Sequence, residues 1–157
     1  MSAGKAKSHL EKFGLADRII TFEQSSATVE LAAKALGCEP ARIAKSLTFS
    51  VNGTPIMIVT AGDVKIDNAK YKAQFGTKAK MLSPDEVTEL IGHPVGGVCP
   101  FGVNEGAEIY LDMSLKRFER VFPAAGTGNT AVDLSIEELE KCSLYKEWVN
   151  VTKPIAV

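Results

Sequence analysis

Apolar positions along the chain change their spacing several times, and each change marks an element. Leu10 and Phe13 among Lys, Ser and Glu, closed by Gly14, predict a short amphipathic helix over about residues 2 to 13. Arg18-Ile19-Ile20-Thr21-Phe22 is a β-branched run and predicts the first strand. Ser25 to Thr28 offers an N-cap, and Val29, Leu31, Ala32, Ala35 and Leu36 recur at helical spacing up to Gly37, with one further helical turn from Pro40 to Ile43. Period two then takes over. Leu47, Phe49 and Val51 alternate with polar neighbours, Asn52-Gly53 supplies a hairpin turn, and Pro55 to Thr60 reads as the returning strand.

Asp67 to Phe75 predicts a helix closed by Gly76, and Lys78 to Leu82 a strand. Ser83-Pro84-Asp85-Glu86 opens another helix, with an N-cap, proline at the first helical position and acids in the first turn; it runs to Ile91. Further on come a strand at Glu108 to Asp112, a short helix at Leu115 to Arg120 and a strand at Val121 to Ala125. A tight turn at Ala125 to Asn129 leads to a strand at Thr130 to Leu134, and Ser135 with Glu138 forms a capping-box pattern before a helix reaching Cys142. About six or seven strands with several short helices and short turns predict an α+β fold. The expectation is one domain over residues 1–157, a curved, mostly antiparallel but mixed sheet or partial barrel flanked by helices.

Between these elements lies a segment that fits neither rhythm. Gly92 to Gly102 contains four glycines and two prolines in eleven residues, which excludes a helix interior or a central strand. It predicts a fixed loop in which glycine leaves backbone N–H groups uncovered and proline restricts the chain around them, a concave set of donors suited to a carbonyl or phosphate oxygen. Val95, Val98 and Phe101 within it predict that the loop packs inward.

Composition narrows the classes. At 157 residues the chain suffices for one core without disulfides, and Cys38, Cys99 and Cys142 form no CxxC pair, which points to a reducing compartment. Cys99 as a nucleophile would need His9 or His93 as its base, and a packed small side chain is the simpler reading. No apolar run approaches the length needed to cross a bilayer and the N-terminal residues are charged, so a soluble cytoplasmic protein with no membrane partner is expected. With 18 Lys plus Arg against 19 Asp plus Glu, no general field favours a polyanion, and DNA is not an expected partner. The charge is nonetheless uneven. Lys65, Lys70, Lys72, Lys78 and Lys80 face only Asp67 between them, a flank able to guide the end of a nucleic acid, although a solvated face would look the same.

Three segments in this order carry a resemblance: Ala44-Lys45-Ser46-Leu47 at the hairpin entry, Gly96-Gly97-Val98-Cys99-Pro100-Phe101-Gly102, and Gly126-Thr127-Gly128-Asn129 followed by Val132-Asp133-Leu134. Together they resemble the YbaK/EbsC/ProX family, free-standing aminoacyl-tRNA deacylases related to the editing domain of bacterial prolyl-tRNA synthetases. The resemblance spans nearly the whole chain. It implies hydrolysis of the ester joining an incorrect amino acid to the acceptor end of a tRNA, without cofactor or metal, and a synthetase as a further partner. It assigns the catalytic work to Lys45 and to the amides of Gly96, Gly97 and Val98. Phe22, Ser46, His93, Pro100, Phe101, Gly126, Gly128 and Asn129 would contact substrate. His93, between Gly92 and Pro94, is the one imidazole beside the loop, available for proton transfer but reading first as a turn residue.

No Ser-His-Asp arrangement is evident, which suits a mechanism of positioning, with water attacking beside the neighbouring ribose hydroxyl. Relatives that clear cysteine carry a tyrosine where Phe22 stands and an aspartate where Ala131 stands. Those that clear alanine carry a histidine in the region of Ala125 and Gly126. Neither pattern is present, so neither assignment carries over, and the implied substrate is a small aliphatic or hydroxylated residue such as alanine, serine, threonine or a related non-protein amino acid, with cysteine less favoured. The alternative reading is a non-catalytic module that binds the tRNA end or aminoacyl-adenosine, or partners a synthetase.

Overall fold

The computed structural model describes residues 2–23 and 28–155. Its organising feature is the Asn-Gly turn. Asn52 (φ 50°) and Gly53 (φ 87°) both adopt the left-handed conformation that a two-residue hairpin of right-handed twist requires, so β2 (Ile43–Val51) and β3 (Thr54–Ala61) pair antiparallel with Lys45 opposite Thr60. Around this hairpin the chain adds β5 (Glu108–Asp112), β6 (Arg120–Pro123), β8 (Leu134–Ser135) and β9 (Glu147–Val149), giving a six-stranded mixed sheet of order β8-β6-β2-β3-β5-β9.

Two antiparallel ribbons extend it, β1 (Ile19–Thr21) with β7 (Thr130–Val132) and β4 (Val64–Ile66) with β10 (Thr152–Pro154). An Ala124–Ala131 bridge joins the first ribbon to the end of β6. Among the described residues four strand pairs are antiparallel and three parallel, the mixed α+β sheet that the sequence predicts. Flanking it are α1 (Ser2–Glu11), α2 (Val29–Leu36), α3 (Asn68–Phe75), α4 (Pro84–Glu86) and α5 (Ile136–Ser143).

Strand alternation divides the apolar residues between two faces. Met57, Val59 and Ala61 join Ile109 and Leu111 in the larger core beneath α1 and α5, where Leu10 and Leu139 are fully buried. Phe49, Ile56 and Ile58 form a smaller core with Tyr71 and Phe75 of α3, whose rings stack in sequence between Phe49 and Tyr110 at centroid distances of 5.2, 4.8 and 5.2 Å. Fully buried Asp112 ties the two regions together, accepting from Ser114 N at 2.9 Å, Val151 N at 3.0 Å and Thr152 Oγ at 2.7 Å.

Several expectations are corrected at the level of local structure. Lys78 to Leu82 is not a strand. It lies along β2 through Ser50 N to Lys80 O (2.8 Å), Leu82 N to Thr48 O (3.2 Å) and one bridge between Phe49 and Met81. The helix expected at Leu115 to Arg120 is a 3₁₀ turn over Met113–Arg117, and Arg120 already belongs to β6; six residues cannot separate those periods. The strand expected over Thr130 to Leu134 is broken at Asp133, whose carboxylate pairs with Arg120 at 2.8 Å. The first helix stops at Glu11. β4, β9 and β10 are three residues each, too short to show an alternation. At α2, Thr28 is the N-cap, accepting from Leu31 N at 3.2 Å; Ser25 to Ala27 lie outside the described residues.

Candidate active site

The site arises because β2 and β6 part company. Their parallel register ends at Ala44 opposite Pro123, whereas β2 continues to Val51. Further along the same edge, Thr48 O accepts Leu82 N. In an antiparallel strand alternate residues direct both backbone polar groups to one edge, so those of Ser46 point the same way as those of Ala44 and Thr48. They therefore face the opening. A cavity of about 370 Å³ occupies this gap.

Four of the sequence-predicted residues line it: Lys45, Ser46, Gly96 and Val98. Much of the lining is apolar and part of it is small, with Ala32 of α2, Ala124 after β6 and Ala131 of β7. Met81 and Val95, 64% and 66% exposed, stand at its rim. Val95 thus corrects the expectation that all three apolar loop residues pack inward; Phe101 does, with no exposed surface.

Lys45 is half-buried, and its ammonium donates to Val64 O. Burial lowers its pKa below the ordinary lysine value, while the charges of Asp63 and Glu30 pull the other way. The hydroxyl of Ser46 is buried and has no hydrogen-bond partner among the described residues. An unpaired buried hydroxyl costs about 1–3 kcal/mol, which makes its position on a cavity wall informative.

The loop is held from behind. Gly96 adopts φ +96°, and Gly97 donates its N–H to Pro94 O at 2.9 Å, closing a turn. That engagement removes the Gly97 amide from the set of donors expected for substrate, leaving Gly96 and Val98 at the cavity wall. Gly97 has another role: a Cβ there would fall 2.5 Å from Gly126 O and 2.8 Å from Thr127 N. The two glycine turns meet backbone to backbone, possible only because this position has no side chain.

The other expected contacts stand apart from the cavity. His93 is fully buried with Nε2 2.6 Å from Phe101 O, and because a carbonyl only accepts, that nitrogen carries the proton. Burial lowers the His93 pKa, the Phe101 carbonyl partly opposing, so the ring is neutral and fastens the two ends of the loop together. Pro100 and Phe101 are buried beside it, Phe101 against the His9 ring at 6.0 Å. Phe22 and Asn129 clasp each other, Phe22 N donating to Asn129 O at 2.8 Å and Asn129 Nδ2 to Phe22 O at 3.1 Å. Gly126 and Gly128 line a separate depression with Gly92 and Pro94. Cys99 is fully buried and its thiol is pushed up to about 12, which removes it as a nucleophile.

Sequence reasoning missed Thr48, Thr130 and the α2 residues Val29 and Ala32 on the wall. Thr48 was within reach, since it shares an edge with Ser46 two residues away; the others come together only in three dimensions. Among the described residues no group of three or more His, Cys, Asp or Glu is placed to hold a metal ion, and no helix is long and apolar enough to cross a membrane.

Residues 23–142 match the model of the aminoacyl-tRNA editing domain. The chain belongs to this family. Within reach of the editing domain are both free-standing proteins and much larger ligases. The uncharacterized protein YwhH of Bacillus subtilis is 50% identical over 154 residues, covering 98% of each chain. The proline–tRNA ligase of Thermosipho melanesiensis is 29% identical over 125 residues, 79% of this chain but only 22% of the ligase. A crystal structure of a proposed trans-editing enzyme for prolyl tRNA synthetase superposes with a TM-score of 0.87 at 28% identity, covering 97% of both chains. This editing-domain chain is thus similar over its whole length to free-standing relatives and to an internal part of the ligases.

Proposed function

We propose that the protein is a trans-editing deacylase that hydrolyses the ester of a tRNA mischarged with a small amino acid. The observation that carries this reading is the convergence of Lys45, Ser46, Gly96 and Val98 on one cavity of about 370 Å³, formed by segments fifty residues apart in sequence. In this reading the aminoacylated ribose enters between Met81 and Val95. The amides of Gly96 and Val98 meet the ester carbonyl oxygen, where negative charge develops as water adds to the carbonyl carbon. The Lys45 ammonium exchanges the Val64 carbonyl for a phosphate or ester oxygen. Water supplies the new C–O bond, its proton passes to the departing ribose oxygen, and the free amino acid leaves. Positioning does most of this work, because the vicinal ribose hydroxyl comes with the substrate.

The unpartnered Ser46 hydroxyl, with the edge-facing N–H and C=O of the same residue, supplies the donors and acceptors that a ribose or an α-amino group requires. The methyl groups of Ala32, Ala124 and Ala131 leave room for an alanyl, seryl or threonyl side chain, and an apolar lining of this kind separates near-isosteres only weakly. Incubation with a panel of aminoacyl-tRNAs tests the reading. Alanyl, seryl or threonyl esters are expected to be lost faster than in buffer, and cysteinyl esters more slowly than these. If no ester in the panel is cleared above the buffer rate, the enzyme reading fails.

Ser46→Ala is expected to separate stability from function. Removing the unpaired hydroxyl should raise the unfolding midpoint slightly, while deacylation falls about five- to tenfold, the equivalent of one hydrogen bond of about 1 kcal/mol. Thermal melts and single-turnover assays on the same preparation read both. A variant that loses stability and keeps its rate contradicts a substrate-facing Ser46.

A further inference from the structure

The β4–β10 ribbon carries an arrangement that neither the core nor the cavity requires. Lys65 of β4 and Lys153 of β10 are direct cross-strand partners, and both are exposed. Residues opposed in this way have Cβ atoms about 4.5–5.5 Å apart, and like charges there destabilise the pair. The nearby carboxylates are already engaged. Asp63 is held by the Arg117 guanidinium at 2.5 and 3.0 Å. Asp67, whose charge reaches Lys153, accepts the amides of Ala69 and Lys70 at 3.0 and 3.1 Å as the cap of α3. Neither lysine makes an ion pair among the described residues.

A third ammonium joins them. Lys70 Nζ donates to Thr152 O at 2.9 Å and to Asn150 Oδ1 at 3.4 Å, which fixes an exposed lysine of α3 against the same ribbon. The ribbon also adjoins the cavity. The residue before Lys65 is Val64, and it is the Val64 carbonyl that accepts from Lys45. The ribbon that accepts the Lys45 ammonium thus also carries Lys65 and Lys153 and holds Lys70, a local cluster of cations on a protein whose overall charge is -1.

We infer that this ribbon binds the sugar–phosphate backbone of an RNA whose 3′ end enters the cavity; the inference rests on the acceptor-end substrate proposed above. Mutual repulsion of Lys65 and Lys153 is relieved when a phosphate lies between them, and the counterions each partner sheds favour association. The contact reads charge and spacing, not bases, so it adds affinity without choosing a sequence.

Anisotropy titrations of an uncharged, 5′-labelled tRNA across a range of salt test this. Lys65→Gln/Lys153→Gln is expected to bind about tenfold more weakly and to lower the log–log salt slope by about 2. Lys12→Gln/Lys141→Gln, which removes the same charge from exposed positions elsewhere, is expected to bind as the unaltered protein does. The thermal midpoint of the ribbon variant should stay level or rise. The inference is overturned by unchanged binding in the ribbon variant, by equal weakening in both variants, or by a fall in midpoint of several degrees that makes the lysines structural. Competition by polyglutamate of matched charge as strong as that by RNA would overturn it as well. Uncharged tRNA contains no aminoacyl ester, so these results stand whether or not the protein deacylates. Loss of the deacylase reading alone leaves the binding result in place.

Discussion

Lys45→Ala is expected to lower deacylation on the order of 10²–10³-fold, the loss typical of a group that stabilises charge at a reacting centre. The fold should survive. Lys45 is half-buried at the entry of β2, and burial lowers its pKa, with the Asp63 and Glu30 charges opposing. A group whose proton affinity is lowered by folding opposes the folded state while it is charged. That opposition is present at neutral pH and fades as pH rises through the folded pKa toward the ordinary lysine value of 10.5. Lys45→Met, which keeps the aliphatic stem and drops the charge, should therefore melt no lower than the unaltered protein at pH 7, and the difference between them should shrink as the pH is raised. Turnover comparable to the unaltered protein in either variant would remove Lys45 from the site.

Gly97→Ala should have a large structural effect for a single added methyl group behind the cavity wall. Its Cβ would lie 2.5 Å from Gly126 O, 2.6 Å from Gly126 C and 2.8 Å from Thr127 N, all of them backbone atoms of a turn with no free rotamer to yield. The two glycine turns would have to separate. We expect a loss of about 2–3 kcal/mol, a fall of roughly 5–10 °C in the unfolding midpoint, and an activity loss larger than the stability change explains, because the Gly96–Val98 wall moves with the turn. Gly4→Ala is the matched comparison. Gly4 lies within α1 with nothing within 4 Å of an added Cβ, and alanine there should be neutral or stabilise by about 0.5–1 kcal/mol. Equal midpoints for the two variants would show that the turns are not in contact.

The elements legible in the sequence were those whose signal is local. Asn52-Gly53 set the hairpin, Ser83 and Ser135 with Glu86 and Glu138 set two helix starts through capping boxes, and Asp67 capped α3. The glycine loop could be found because its composition excludes any regular element. What local signal cannot carry is the choice between the two sides of that loop. Gly96 and His93 are three residues apart, yet one lines the cavity and the other is wholly enclosed with its proton on the Phe101 carbonyl. Likewise Phe22 and Asn129 read as plausible contacts with substrate, and the structure spends both on holding β1 to the second turn. The short strands β4, β9 and β10 gain their conformation from partners far along the chain, Val64 from Pro154 and Trp148 from Leu111. Their sequences hold no trace of it.

Behind Gly96 and Val98 of the cavity wall, the Gly97 backbone backs directly onto that of Gly126, whereas elsewhere the lining includes the side chains of Ala32, Ala124 and Ala131. A contact made of peptide units keeps its contour whatever happens to the side chains around it, so the junction of the two glycine turns is insulated from sequence drift. In the deacylase proposed above, selectivity is then adjustable by itself: each enlargement of Ala32, Ala124 or Ala131 would subtract a small volume from the cavity, and a descendant of this protein could change its preferred amino acid without rebuilding the glycine turns.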